Sequence, residues 1–182
     1  MKMLSRNQAK EIVASNGDLS DCDLSGTNLS ELDLSAMQLI RSNLSRADIS
    51  KAVLIRTDLS GSELISANLG VSNLTRAVLN RCKLTMTDLS FSTLIGANFE
   101  AAILTGANLS LSNLSCSVFR NADLTAADLS GSNLKNVELI NANFTASDLT
   151  DADLRGAKLA GSNFTRAKID GIVLDEDIKL SI

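Results

Sequence analysis

The sequence contains no proline, histidine, tryptophan or tyrosine, and only five phenylalanines among its 182 residues. Without histidine, the side chain that most often transfers protons near neutral pH is missing, and no glycine motif typical of phosphate binding occurs. These absences argue against an enzyme. We therefore expect no catalytic residues, no bound metal and no cofactor.

The sequence also has few cysteines, no long apolar run and only a small net charge. The three cysteines, Cys22, Cys82 and Cys116, are odd in number and match no zinc-binding spacing, which argues against both a disulfide framework and a metal site. No apolar run reaches the length of a membrane span, and the amino terminus lacks the apolar stretch of a secretory signal. The formal net charge of -4 is too small to indicate a nucleic-acid ligand. We expect a soluble, cytoplasmic protein with no membrane contact and no direct nucleic-acid binding.

A five-residue pattern runs without a break from Leu19 to Leu174. Stepping by five gives 32 positions, of which 26 are Leu, four are Phe and two are Ile. We call these the central positions. The residue two before is Ala, Ser, Thr or Cys in 27 repeats, and the residue just before is Asp or Asn in 20. The pattern predicts that the central residue and the one two before it point inward, while the others face water.

A period of five fits neither an α-helix nor a β-strand, because five steps do not return a side chain to the same face of either element. Each repeat must therefore contain a turn. Eight of the ten glycines lie two residues after a central position, where a turn requires a positive φ. We call this the corner position. The absence of proline agrees with a chain whose backbone N–H groups bond to neighbouring coils, which predicts a solenoid.

These repeats resemble the pentapeptide-repeat family, whose pattern is often written A(D/N)LXX, over residues 17–176. Their Leu-rich, loop-free form is similar to members common in cyanobacteria. The resemblance implies an all-β fold, a right-handed quadrilateral β-helix in which four repeats close one coil. The sequence supports this interval independently, since Phe99 and Phe119, and likewise Phe144 and Phe164, are four repeats apart. About eight coils are expected.

We expect three segments: an N-terminal capping helix in residues 1–16, the solenoid in residues 17–176, and a C-terminal tail or cap in residues 177–182. Ser5 and Gln8 form a potential capping box at the start of a helix over residues 5–15, with Gly17 as its stop signal. One face of this helix is predicted to cover the first coil. Its residues are Ala9, Ile12 and Val13.

The tail alternates apolar residues at Ile178, Leu180 and Ile182, as a further strand would. Such a strand either caps the last coil or pairs with a second molecule, and some pentapeptide-repeat relatives do form C-terminal dimers. Capping is the main expectation for this tail, and a homodimer through this end or through the apolar stripe described next is the alternative.

Val71, Phe91 and Leu111 occupy corner positions one coil apart and should stack as an outward apolar stripe, which we call the apolar stripe. Met86, at the preceding corner of the coil of Phe91, is expected to widen it. Such a stripe suits the docking of a protein partner, although scattered exposed apolar residues are also normal on soluble proteins.

One coil carries Arg41, Arg46, Lys51 and Arg56, which we call the basic ring. It suits an anionic partner. A structural explanation is also available, because Asp21 precedes Arg41, and Glu31 precedes Lys51, by one coil. Such pairs would stack as opposite charges on adjacent coils and help to fix their alignment.

Asp128, Asp148, Asp151 and Asp153 form a candidate acidic cluster near the other end. The best-understood activity in pentapeptide-repeat proteins is protection or inhibition of DNA gyrase by an acidic rod that mimics duplex DNA, so this cluster favours such a mimic. The small net charge, the basic ring and the absence of an insertion loop argue against it.

A threonine column over Thr85, Thr105, Thr125, Thr145 and Thr165 suggests ice binding as a remote alternative. The companion column two residues earlier is irregular, whereas ice-binding arrays normally present two flat ranks. Our main functional prediction is thus a non-enzymatic rigid scaffold or protein-interaction module, with a DNA mimic that binds gyrase or another topoisomerase as the alternative.

Overall fold

A computed structural model of the protein describes residues 1–176 together with residues 178 and 180. The chain winds into a stack of coils joined by parallel, single-residue bridges. Each bridge links the residue before a central position to its equivalent four repeats later, from Asp23 and Asn43 at one end to Asp153 and Val173 at the other. The expected coil of four repeats is therefore confirmed.

Every repeat makes a turn at its corner. At nearly all corners, the backbone N–H three residues after a central residue donates to that residue's carbonyl, as from Thr27 to Leu24 at 3.1 Å. The corner residue has a φ between 54° and 73° at all 31 positions from Asp21 to Gly171. Four turns thus complete one coil. Extended structure is limited to the bridges between the turns, so the expected β-helix has no long strands among its described residues.

The solenoid interior is a continuous apolar column. All central residues from Leu19 to Leu154 are fully buried. The rings of Phe99 and Phe119 stack with their centroids 4.6 Å apart, as expected for residues one coil apart. Buried hydroxyls in the small inward positions donate to backbone carbonyls, and no buried polar side-chain atom in the described part of the chain lacks a partner. The core therefore accepts Ser and Thr without an unsatisfied group.

The amino terminus adds a strand that the sequence pattern did not indicate. β1, Lys2–Met3, pairs in parallel with β2, Cys22–Asp23, again at an interval of one coil. Leu4 follows β1 and is 2% exposed, at the position one coil before Leu24. The chain therefore begins with part of a coil before its helix.

Helix α1, Arg6–Ala14, covers this end of the core. Ser5 caps it, and both hydrogen bonds of the capping box with Gln8 are present. Ala9 is buried, and Ile12 and Val13 are half-buried and pack against the apolar column. The apolar face of α1 thus shields the open edge of the coils.

Helix α1 ends in a Schellman motif, with Asn16 rather than Gly17 in the left-handed conformation at a φ of 50°. The Gly17 N–H donates to the Ile12 carbonyl at 2.8 Å. A Cβ on Gly17 would lie 2.8 Å from Cγ2 of Ile12. Glycine is needed here for space and not for its φ, because Asn16 provides the left-handed residue.

At the carboxyl end, the described residues Ile178 and Leu180 follow the last bridge. The Ile178 N–H donates to the Asp175 carbonyl at 3.1 Å, and Leu180 is half-buried against the apolar column. The predicted contribution of Ile182 lies outside the described residues. The contact of Leu180 is of the kind that a capping tail makes.

Candidate functional site

The Asp and Asn residues before the central positions serve the fold. The Oδ1 atom of each of them accepts a hydrogen bond from the backbone N–H two residues later, as in Asn43 from Ser45 and Asp48 from Ser50, both at 3.1 Å. Asp and Asn make this turn contact equally well. The fold therefore requires the oxygen but leaves the charge at these positions open.

The apolar stripe has the geometry that its spacing indicates. Val71, Phe91 and Leu111 lie at the same corner of three successive coils and are 59%, 60% and 56% exposed. All three have a positive φ, which is unfavourable for bulky and especially for β-branched residues. Neither burial nor backbone preference explains these side chains, which leaves the apolar stripe available for another role.

Met86 does not extend the stripe directly. It is 64% exposed at the preceding corner of the same coil, and the half-buried Asp88 lies on the face between Met86 and Phe91. Its sulfur lies above Gly106 on the next coil, just as Leu111 lies above Gly131. Met86 and the apolar stripe therefore border one face on opposite sides.

The basic ring occupies the four corners of a single coil. Arg41 forms a bidentate pair with Asp21, with nitrogen to oxygen distances of 2.9 and 2.6 Å, as predicted. The Arg41 guanidinium donates to Asp21 and thereby lowers the pKa of that carboxyl. Within the described part of the chain, Arg46, Lys51 and Arg56 form no ion pair.

The predicted pair between Glu31 and Lys51 is wrong, because no salt bridge joins these two described residues. Both side chains point into water from exposed corners. A salt bridge in this setting gains little free energy, so a separation of one coil does not by itself bring the charges together.

Half of the acidic cluster is neutralised by nearby cations. Asp148 pairs with Lys168 at 2.9 Å, and Asp153 pairs with Arg155 at 2.6 Å and with Lys135 at 3.1 Å. The hydrogen bond from Arg155 is the main reason why the pKa of Asp153 is well below its usual range.

The other two acidic residues, Asp128 and Asp151, form no ion pair in the part of the chain that the structure describes. Asp128 bridges to Asp148 on one face, whereas Asp151 lies at the next corner. The four carboxylates therefore do not form one continuous acidic surface.

The hydroxyls of the threonine column are mostly used within the protein. Thr125, Thr145 and Thr165 donate to the Asp or Asn two residues before them at 2.5 to 2.7 Å. Thr125 and Thr145 also accept hydrogen bonds from asparagine amides on the next coil. This arrangement weakens the ice-binding alternative, because these hydroxyls already have partners.

The structure contains a surface groove at another corner of the coils, which the sequence analysis did not predict. Ile55, Thr75 and Ile95 follow central positions in three successive coils, and Arg56 and Arg76 flank them. The groove could have been predicted from the interval of one coil that separates Ile55 from Thr75 and Arg56 from Arg76. The basic ring thus continues into the next coil on this side.

We find no group of three or more His, Cys, Asp or Glu residues able to hold a metal ion in the described ranges. Burial raises the pKa of the Cys82 thiol to about 12, whereas Cys22 is half-buried and Cys116 is exposed. None of the described helices is long and apolar enough to span a membrane.

Comparison with protein families confirms the resemblance. The model of pentapeptide repeats matches the chain over residues 17–54, 42–80, 72–110, 102–139 and 138–175. The chain belongs to the pentapeptide-repeat family. A comparison of the sequence with curated proteins finds no match.

Two solved structures illustrate the shared fold. HetL, a pentapeptide repeat protein involved in heterocyst differentiation regulation from the cyanobacterium Nostoc sp. strain PCC 7120, is 23% identical, with a TM-score of 0.58, over 96% of this chain and 99% of HetL. QnrB1, a plasmid-mediated fluoroquinolone resistance protein, is 22% identical, with a TM-score of 0.61, over 85% of this chain and 90% of QnrB1. At these identities the similarity establishes the fold only.

Proposed function

We propose that the protein is a rigid, non-enzymatic rod that binds another protein, and that the apolar stripe is its contact surface. The rod is assigned the right-handed quadrilateral β-helix form expected for the family, between an N-terminal capping helix in residues 1–16 and a C-terminal tail or cap in residues 177–182. We expect the protein to be located in the cytoplasm. The single observation that carries the proposal is the exposure of Val71, Phe91 and Leu111 in a conformation that disfavours them.

The rest of the rod supports this assignment. Hydrogen bonds between coils hold the corners in place, as from the Phe91 N–H to the Ser110 carbonyl at 3.0 Å. An apolar surface on such a support loses little conformational freedom on binding, because its backbone is already fixed. Aromatic residues are enriched in protein interfaces, and contiguous exposed apolar patches mark such surfaces.

The test replaces Phe91 and Leu111 together with Ser. We expect an unchanged melting temperature, since both side chains are exposed, together with loss of self-association or of a protein captured by the wild type. The matched control is Arg81→Ser with Ala101→Ser, which changes another corner of the same two coils. If the stripe variant folds and every association persists, the proposed function is wrong.

The DNA-mimic alternative keeps one supporting observation, the absence of an ion pair at Asp128 and Asp151 in the described chain. The cations beside Asp148 and Asp153 count against it. We expect no inhibition of DNA gyrase supercoiling and no rescue from fluoroquinolone at micromolar protein. Potent inhibition that weakens with salt, and that is lost when the four Asp residues become Asn, would establish the mimic instead. Asn retains the turn hydrogen bond at positions 128, 148 and 153, so this variant tests their charge without removing that contact.

A further inference from the structure

We propose that two copies of this chain associate side by side in antiparallel orientation, with the apolar stripe of one rod against that of the other. This rests on the proposed function, because it names a second copy as the protein that the stripe binds. The evidence is the order of residues along the corner column of the stripe. From the amino to the carboxyl end, these are Glu31, Lys51, Val71, Phe91, Leu111, Gly131, Asp151 and Gly171.

This column is complementary to itself when a two-fold axis lies midway between the coils of Phe91 and Leu111. Phe91 then faces Leu111 of the second copy. Val71 faces Gly131, and Leu111 of the second copy lies over that glycine, so Val71 meets an apolar side chain there as well. Two-fold symmetry makes each of these contacts twice. The interface is therefore an apolar centre formed by Val71, Phe91 and Leu111 of each copy.

The charges at the ends of the column match in the same arrangement. Lys51 faces Asp151 of the second copy, and these two positions are five coils apart along one rod, roughly 24 Å at the spacing of paired strands. Both side chains are exposed, and neither forms an ion pair within the described residues of its own chain. The association thus offers each of these charges an opposite partner.

Two other arrangements of the same corner place like charges together. In a parallel pair each residue meets its own copy, so Lys51 faces Lys51. In an antiparallel pair centred on Phe91, Glu31 faces Asp151 and Asp88 faces Asp88. These contacts are repulsive, which favours the arrangement centred between Phe91 and Leu111.

The centre of the neighbouring face agrees with this choice, while farther from the axis Asp48 faces Asp148, whose charge is paired with Lys168 of its own chain. With the proposed axis, Asp88 lies opposite Asn108 of the second copy, so a carboxylate meets an amide. The Oδ1 atom of each residue accepts its turn hydrogen bond, which leaves the Oδ2 of Asp88 and the Nδ2 of Asn108 for another contact.

The wider charge distribution acts in the same direction. Residues 37–96 contain seven Lys and Arg against four Asp and Glu, a net charge of +3. Residues 106–165, which lie opposite them, contain four Lys and Arg against six Asp and Glu, a net charge of -2. Antiparallel association therefore brings the basic half of each rod against the acidic half of the other.

The experiment is sedimentation equilibrium of the full chain up to about 500 µM, with charge-reversal variants. We expect a wild-type dimer that Lys51→Glu and Asp151→Lys each weaken about tenfold, and that the double variant restores to within about threefold. The control is Arg46→Glu, at another corner of the coil of Lys51 and likewise without an ion pair in the described chain. It should weaken dimerisation much less than Lys51→Glu does, because it changes the general charge of this half of the rod and no direct contact.

A wild type that stays monomeric throughout this range would overturn the proposal. So would a dimer whose Lys51→Glu/Asp151→Lys variant is no stronger than the single variants, because the two residues then do not meet. These failures are separate from that of the proposed function. If the Phe91→Ser/Leu111→Ser variant alone loses a different captured protein, the stripe is still an interaction surface and only the antiparallel dimer is wrong.

Discussion

At the scale of single residues, the corner position decides which side chains the solenoid tolerates. Twenty-three of the 31 corners are not glycine, although the left-handed conformation costs an L-residue roughly 1–2 kcal/mol. Asn and Asp bear this cost better than other residues, and β-branched residues bear it worst. Val71 is the β-branched residue among these corners, so backbone preference does not explain its presence there.

Val71→Asn should therefore stabilise the isolated rod by about 1 kcal/mol. The reverse change at a comparable exposed corner, Asn121→Val, should destabilise it by a similar amount. The two φ values are 63° and 57°, so the backbone conformations are matched. Urea unfolding at low protein concentration measures both free energies. A loss of stability in Val71→Asn would mean that Val71 supports the fold.

The spacing of residues in the sequence predicted most residue positions and one side-chain contact, but it did not predict every contact. The inward pairs, the corners and the Asp21–Arg41 contact follow from the intervals of one repeat and one coil, because each interval fixes a backbone position. The pair between Glu31 and Lys51 failed because a backbone position does not fix a long exposed side chain. The turn hydrogen bonds of Asp and Asn were not predicted, although their shared Oδ1 was a sufficient signal.

At the scale of elements, the ends of the rod depend on segments outside the repeat. Leu4 lies one coil before Leu24, yet the helix that follows Leu4 interrupts the pattern, so no continuous run of repeats leads back to it. The helix itself was predictable, since its capping box is local. Strand β1 was not, because two residues carry no periodicity.

Leu4→Ala should destabilise the protein by about 2–3 kcal/mol, because Leu4 is 2% exposed and its removal leaves a cavity above the first coil. Amide hydrogen exchange should show faster opening in residues 17–36 than in the central coils. The control is the adjacent Met3→Ala, since Met3 is 73% exposed and should be neutral. Equal effects of the two substitutions would contradict a capping role for Leu4.

Acid should weaken the contacts between coils. The hydroxyl of Thr150 and the ammonium of Lys168 lower the pKa of Asp148 from 3.8 to about 2. Because the folded pKa is below the unfolded one, the ionised carboxylate stabilises the fold above about pH 4, and this contribution is lost as the pH falls toward 2. Asp148→Asn keeps the turn acceptor but loses the ion pair.

We therefore expect Asp148→Asn to be less stable than the wild type by at most about 1 kcal/mol at pH 7, after allowance for solvent screening, and nearly equal to it near pH 2. Urea unfolding at both pH values measures the difference. Asp128→Asn removes a neighbouring carboxylate that has no ion pair in the described chain, and serves as the control. A difference for Asp148→Asn that is the same at both pH values would contradict this origin.

At the scale of the whole molecule, the fold is a one-dimensional array in which each coil contacts mainly its neighbours. Such an array unfolds cooperatively only while every interface between coils is intact. The fully buried column from Leu19 to Leu154 makes these interfaces nearly uniform. A single defect in the middle should therefore divide the rod into two shorter and less stable parts.

Leu104 is the position for this test, because it is fully buried near the middle of the column. Leu104→Asp places a carboxylate among apolar side chains with no partner and no path to water, at a cost that exceeds the usual stability of a domain of this size. Cooperative unfolding, followed by circular dichroism against temperature, should disappear. The matched control is Leu111→Asp, a few residues away but 56% exposed, which should unfold cooperatively near the wild-type temperature when measured at low concentration. If both variants unfold like the wild type, the central residues do not form the interior, and the solenoid itself would be the wrong structure for this chain.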